Sequence, residues 1–180
     1  MTALLLGFGP FGEVTENPSS RLAGALDGRI IGSSGMRVVG REMPVSFVRC
    51  LEFTSAMVAE HRPVFVLGIG VAVTRPLATV ETTARRHALG RTDVDGAQSQ
   101  PREEGPDELD CPDAARLALA LGLDCSADAG DYVCNHWFYG ALLSGYPAAF
   151  LHISEVGLDA DSTAERIGAF LDARFARAQV

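Results

Sequence analysis

Cys134 stands in the run Gly130-Asp131-Tyr132-Val133-Cys134-Asn135-His136-Trp137-Phe138-Tyr139-Gly140, with turn residues before it and an apolar, helix-compatible stretch after it. That order puts its sulfur in the first turn of a helix, where unpaired backbone N–H groups and the positive end of the macrodipole favour an anion. A free cysteine titrates at about 8.5, and a helix start can bring the thiolate within reach of neutral pH. The chemistry would be nucleophilic attack, which needs a base and a group to orient that base. By position, a buried cysteine acting as a small hydrophobe fits the same pattern.

Four histidines are available, His61, His87, His136 and His152. His136 lies two residues from Cys134, so the two side chains point to different faces of one helix. His152 follows Ala149-Phe150-Leu151 at the end of a strand, and a strand parallel to its neighbours opens its carboxyl end where Cys134 should sit. Glu81 is the one carboxylate in the apolar stretch from Leu77 to Thr83, where an unpaired charge is costly and an imidazolium would serve as partner. Cys134, His152 and Glu81 together make a nucleophile, a base and an orienting acid.

Two other patterns bear on ligands. Gly7-Phe8-Gly9-Pro10-Phe11-Gly12 satisfies G-x-G-x-x-G after a strand, with Asp27 at the offset of a ribose-binding acid. A dinucleotide site needs the helix to begin inside the glycine turn, whereas here it begins at Pro18 and leaves Asp27 at a helix end beside Gly28. The loop offers another use, since Phe8 and Phe11 could sandwich a small flat ring or else plug the core. Cys134 and His136 lack two further ligands, and there is no Cys-x-x-Cys or His-x-x-x-His, so neither a metal site nor a cofactor is expected.

The elements that must position these residues follow from the apolar pattern. Ala3 to Leu6 and Val64 to Leu67 read as buried strands, as does Ala148 to Ile153; Val38 and Val39 belong to another that ends near Pro44. Leu77 to Ala84 reads as one strand and Leu123 to Ser126 as a short one. Asn17-Pro18 opens a helix with Leu22, Ala25 and Leu26 on its apolar face. Phe47, Cys50, Leu51, Thr54, Met57 and Val58 recur at helical spacing up to about Glu60. Asp113 or Asp110 caps a helix carrying Leu117, Leu119, Ala120 and Leu121, with Gly122 at its end. Ser162-Thr163-Ala164-Glu165 reads as the capping box of a last helix, with Ile167, Phe170, Leu171 and Phe175 as its core stripe. Arg85 to Glu108 is polar, punctuated by Gly and Pro, and has no assignable period. Alternating strands and helices predict a three-layer α/β/α sandwich with a twisted, largely parallel central sheet.

At 180 residues and 47% hydrophobic content, one domain over residues 1–180 is expected. Fifteen basic against twenty-three acidic side chains give a net charge of −8 with no basic cluster, which argues against nucleic acid as a partner. No apolar run approaches a bilayer span, and Met1-Thr2-Ala3 lacks a charged signal start, so a soluble, cytoplasmic protein without membrane association is expected. Cys50, Cys111, Cys125 and Cys134 show no paired short spacing, which fits free thiols in a reducing compartment.

The two islands Gly7-Phe8-Gly9-Pro10-Phe11-Gly12 with Asn17-Pro18-Ser19, and Val133-Cys134-Asn135-His136 with Tyr139-Gly140, resemble the two signatures of the type I pyroglutamyl peptidases, also called pyrrolidone-carboxylate peptidases. The resemblance runs from Leu4 to Ile153 and implies an α/β sandwich cysteine peptidase that removes N-terminal pyroglutamate, with peptides so blocked as its substrates. It puts Glu81 on the orienting acid and His152 on the catalytic histidine. It further implies Phe8 and Phe11 against the ring's faces, backbone groups near Ile69 and Val133 on the lactam, Arg91 and the Cys134 N–H near the oxyanion, and a possible homo-oligomer, a tetramer in related proteins. The chain departs from the pattern at Gly68-Ile69-Gly70-Val71-Ala72-Val73, where members carry Gly-Gln-Ala-Gly-Gly-Arg, at Thr82-Thr83-Ala84 in place of Arg-Val-Ala, and at Asp131 in place of Thr. The stretches from Glu81 to Cys134 and from Cys134 to His152 are also shorter. A hydrolase of another small cyclic amide or N-terminal acyl group, a weakly active relative that binds such ligands, and a nucleotide-binding module are the alternatives.

Overall fold

The computed structural model describes residues 1–87, 90–100 and 104–176. Along the chain the elements are β1 (Thr2–Phe8), α1 (Pro18–Leu26), β2 (Ile30–Ile31), β3 (Met36–Met43), α2 (Arg49–His61), β4 (Phe65–Val71), β5 (Thr79–Glu81), β6 (Thr83–Arg85), β7 (Glu108–Asp110), α3 (Ala114–Leu121), β8 (Asp124–Ser126), α4 (Val133–Leu143), β9 (Ala148–Ile153) and α5 (Ala160–Ala176). Seven strands form one sheet in the order β2-β3-β1-β4-β9-β5-β8. The pairs β3/β1, β1/β4, β4/β9 and β5/β8 are parallel, while β2/β3 and β9/β5 are antiparallel. The expected α/β sandwich with a largely parallel sheet is what the chain forms.

The continuous apolar strands β1, β4 and β9 sit at the sheet's centre and are buried on both faces, as their composition dictates. Helices α2 and α4 pack together over one face, and α1 and α3 pack with α5 over the other. Gly7 marks the α1 face, where a Cβ would come 2.1 Å from the Ser19 carbonyl oxygen. Gly68 marks the α4 face, where a Cβ would come 2.3 Å from the Trp137 ring. These glycines are therefore seats for helices. No helix among the described residues is long and apolar enough to cross a membrane.

Several local expectations are corrected. The stretch from Leu77 to Ala84 is not one strand: Thr82 donates to the Ser126 carbonyl at 2.7 Å and accepts from the Cys111 N–H at 2.8 Å, and the chain then leaves the sheet to pair β6 with β7. On α1 the buried alanine is Ala23, with Ala25 exposed. Leu119 of α3 is 83% exposed, and Asp113 makes no side-chain cap, because its carboxylate is taken by Arg116 and Arg174. Helix α5 begins before the expected capping box: Asp159 accepts the Ser162 N–H at 2.9 Å, and Thr163 is buried. Of Arg85 to Glu108, a bridge between Thr92 and Gln98 and the start of β7 are defined, while residues 88, 89 and 101–103 lie outside the described residues.

Candidate active site

The carboxyl ends of β1, β4 and β9 open into a cavity of about 270 Å³ lined by Phe8, Phe11, Arg75, Tyr132, Cys134 and His152, among others. That is the edge where open α/β sheets bind ligands. Cys134 is the second residue of α4, and Tyr132 before the helix supplies no side-chain cap to its first-turn N–H groups. Two ties hold this helix start in place. Asn135 exchanges hydrogen bonds with the Arg85 backbone at 2.8 and 2.7 Å, and Trp137 Nε1 donates to Thr54 Oγ1 at 2.8 Å.

Beneath the thiol the sheet is notched. A Cβ at Gly70 would come 2.8 Å from Cys134 Sγ, and Gly70 is the register partner of His152 in β9. Thiol and imidazole therefore stand over neighbouring strands on one face of the sheet. His136 turns elsewhere, its ring edge-on to Phe47 with centroids 5.3 Å apart.

The antiparallel setting of β5 brings Glu81 to the histidine. Thr79 faces His152 and Glu81 faces Phe150, which makes Glu81 and His152 diagonal neighbours on one face of the sheet. His152 Nδ1 lies 2.7 Å from Glu81 Oε1, with both side chains buried. The Nδ1–H tautomer that this contact selects leaves Nε2 as the ring's acceptor. Glu81 Oε1 also accepts from Arg75 Nη1 at 2.6 Å, whereas Oε2 is buried with no partner among the described residues.

Burial, reinforced by the Glu81 charge, pushes the Cys134 thiol up to about 12, against the opposing pull of its own backbone N–H and of Arg75. The expectation that the helix start would lower this thiol is thus overturned. The pull of the helix's first-turn N–H is outweighed by burial and by a nearby carboxylate.

Phe8 is buried against Phe150, and Phe11 is partly exposed against Tyr132, with ring centroids 6.3 and 6.2 Å apart respectively. Asn17 fixes their loop: Nδ2 donates to the Gly9 carbonyl at 2.8 Å while Oδ1 caps α1 at the Ser19 N–H. Ile69 and Val133 are fully buried and do not line the cavity. Ile69 pairs in register with Gly7, so strand alternation turns its side chain to the α1 face, away from Cys134. Arg91 reaches the cavity rim, yet its Nη1 is held by Asp131 at 2.8 Å and its guanidinium lies 5.1 Å over the Tyr132 ring. Asp27 is no ribose acid, for its carboxylate accepts the Gly40 N–H at 3.0 Å and pairs with Arg41 at 2.8 Å. No group of three His, Cys, Asp or Glu side chains able to hold a metal occurs among the described residues.

The sequence reading misses Arg75. A signal was present: a carboxylate wholly inside an apolar strand calls for a permanent cation, and Arg75 stands six residues before Glu81.

A protein-family model described as pyroglutamyl peptidase matches residues 1–155. A pyrrolidone-carboxylate peptidase of Chromobacterium violaceum is 38% identical over 168 residues, which cover 84% of this chain and 77% of that protein. Among solved structures, the pyrrolidone carboxyl peptidase from Thermococcus litoralis aligns with a TM-score of 0.84 at 24% identity, over 99% of this chain and 94% of the other. Bacillus amyloliquefaciens pyroglutamyl peptidase I aligns with a TM-score of 0.81 at 26% identity, over 94% of each chain.

Proposed function

The chain belongs to the pyroglutamyl peptidase family, and from that premise we propose that it is a cysteine peptidase of the omega type that removes N-terminal pyroglutamate through Cys134, His152 and Glu81. The observation that carries the reading is the 2.7 Å contact of His152 Nδ1 with buried Glu81, at the wall of a cavity that also holds Cys134. His152 Nε2 takes the thiol proton as Sγ attacks the pyroglutamyl carbonyl carbon. The oxyanion lies at the uncapped start of α4, within reach of the Cys134 N–H. As the C–N bond breaks, the imidazolium returns its proton to the departing amine, leaving a thioester. His152 then deprotonates a water that attacks the thioester, and pyroglutamate leaves as Sγ regains its proton.

A thiol held neutral by burial gives up its proton only when another charge balances the thiolate. Imidazolium beside Glu81 supplies that balance at the moment of attack. Phe8 and Phe11 are suited to the faces of the lactam, and the cavity has room for a single five-membered ring. Four free cysteines accord with a reducing, cytoplasmic setting, and self-association into a tetramer, as in related proteins, completes the proposal. Side-by-side turnover of pyroglutamyl and prolyl fluorogenic amides tests it: the parent should cleave the first selectively, and Cys134→Ala should cleave neither. A Cys134→Ala variant at the parent rate would sink it.

A further inference from the structure

We propose that Arg75 is a positioning residue of this site: it holds the Glu81 side chain aimed at His152 and ties that pair to the turn from which the Cys134 helix springs. The inference rests on the peptidase reading of the site. Arg75 lies in the loop after β4, its side chain 26% exposed. Nη1 donates to Glu81 Oε1 at 2.6 Å, to Thr79 Oγ1 at 3.0 Å and to Ser126 Oγ at 3.3 Å, while Nη2 donates to the carbonyl of Asp128. One planar guanidinium thereby spans β5, β8 and the turn before α4. The turn runs on through Asp128, whose Oδ1 accepts the Gly130 N–H at 3.1 Å.

The physical need for such a group is plain. A wholly buried carboxylate that faced a neutral imidazole and nothing else would take up a proton, because burial penalises its charge. The protonated acid would then donate to Nδ1 instead of accepting from it. The other tautomer would follow, with the hydrogen on Nε2, and the thiol would have lost its base. Arginine keeps its charge at every working pH and presents several donors in a fixed fork, so it prevents this while also locating the oxygen. Glu81 Oε1 carries Arg75 at 2.6 Å and His152 at 2.7 Å, with a longer 3.5 Å bond from Thr79 Oγ1, and Oε2 has no partner among the described residues, so the two short contacts dominate the carboxylate's orientation. The remaining charged or titratable groups around the cavity are Arg91 and Asp131, paired with each other, Tyr132, and Cys134 itself; none of them bonds Glu81. Arg75 further favours the Cys134 thiolate by its charge.

The test uses a Cys125→Ser background, which removes the exposed thiol, and compares Arg75→Met and Arg75→Lys with the parent. Two quantities are read against pH: the rate of Cys134 alkylation by iodoacetamide, and kcat and KM on a pyroglutamyl reporter. Arg75→Met should move the ascending limb of both profiles to higher pH by about half a unit or more, and should lower kcat at neutral pH by about 30-fold or more with KM changed less than about threefold. Arg75→Lys should restore the limb but not the full kcat, since an ammonium keeps the charge and cannot span Glu81 and Asp128 together. A folded Arg75→Met with the parent's profiles and kcat overturns the proposal. Should that variant fail to fold, Arg75→Lys decides: parent-like kcat overturns the proposal, and parent-like pH limbs with reduced kcat uphold it. Alkylation reads Cys134 without substrate. A parent inactive on the reporter, but whose alkylation limb moves in Arg75→Met, would defeat the peptidase reading and leave Arg75 in its role.

Discussion

Gly70 lies directly under Cys134: a Cβ there would come 2.8 Å from Sγ, and its backbone is the register neighbour of His152. Gly70→Ala should therefore push the sulfur away from the base, while its 3.0 Å approach to the Phe150 ring asks a smaller shift of the core. A displacement on the order of 1 Å at a reacting centre can cost about 10²-fold in rate, and kcat should fall by that order with KM nearly unchanged and a smaller loss of Tm than Gly68→Ala causes. Gly68→Ala is the contrast. Its Cβ would meet Trp137 at 2.3 Å and Phe150 at 2.7 Å, so it should cost roughly 1–3 kcal/mol of stability and, acting on Cys134 only through the helix, lower kcat far less than Gly70→Ala. Steady-state kinetics and thermal unfolding on both variants check the pair, and equal effects of the two on kcat would refute the notch.

Glu81→Gln keeps the shape of the side chain and removes its charge. The carboxamide oxygen can still accept from His152 Nδ1 and Arg75, so the histidine's orientation should survive. The imidazolium formed during attack would lose its counter-charge beside a half-buried arginine. On that account kcat should fall by about 10²-fold or more with little change in KM, measured at saturating reporter. A Glu81→Gln enzyme at the parent rate would remove Glu81 from the chemistry.

Asp131 holds Arg91 at the cavity rim by a 2.8 Å contact between partly exposed side chains. Asp131→Asn keeps the size and drops the charge, freeing the guanidinium to turn toward a bound carbonyl. One hydrogen bond gained there is worth about 0.5–1.5 kcal/mol, so kcat/KM should rise by about two- to tenfold, and an added Arg91→Ala change should abolish the gain. Double-mutant kinetics on the pyroglutamyl reporter would expose a failure, since a rise that persists without Arg91 assigns the effect to something else.

How far the sequence carried these conclusions depended on the range of the forces involved. β1, β4 and β9 were legible because strands buried on both faces must be apolar throughout, and α1 because Asn17 and Pro18 act locally. Cys134, His152 and Glu81 could be nominated because each stands at an element end or in an apolar strand where its chemistry is conspicuous. The direction of β5 was not legible. Its antiparallel run beside β9 and the break at Thr82 are set by the backbones of Ser126 and Cys111, far off in sequence. The thiol's upward shift was misjudged for the same reason: a helix start can be read from neighbours, whereas burial and the Glu81 charge come from tertiary packing. The start of α5 lies earlier than the apparent capping box because Asp159, three residues upstream of Ser162, accepts the Ser162 N–H.

Alkaline stability offers a test that does not involve catalysis. Burial pushes the Cys111 thiol from an ordinary 9.0 up to about 11, and its Sγ donates to the Ala148 carbonyl at 3.3 Å. In the unfolded chain this thiol loses its proton near pH 9, while in the folded protein it keeps it until near pH 11. Between these values the unfolded state binds fewer protons than the folded one, so stability is fully present below pH 9 and falls as pH rises. The loss attributable to Cys111 should be roughly 2–3 kcal/mol across that window. Cys134, pushed up to about 12, adds a second loss of the same sign. Cys111→Ala should be less stable at pH 7, having lost the contact with Ala148, yet show a shallower decline from pH 9 to 11, and Cys134→Ala should show the same flattening. Urea unfolding at fixed pH values across the range measures both. A Cys111→Ala protein that loses stability as steeply as the parent would mean that this thiol is not held protonated by the fold.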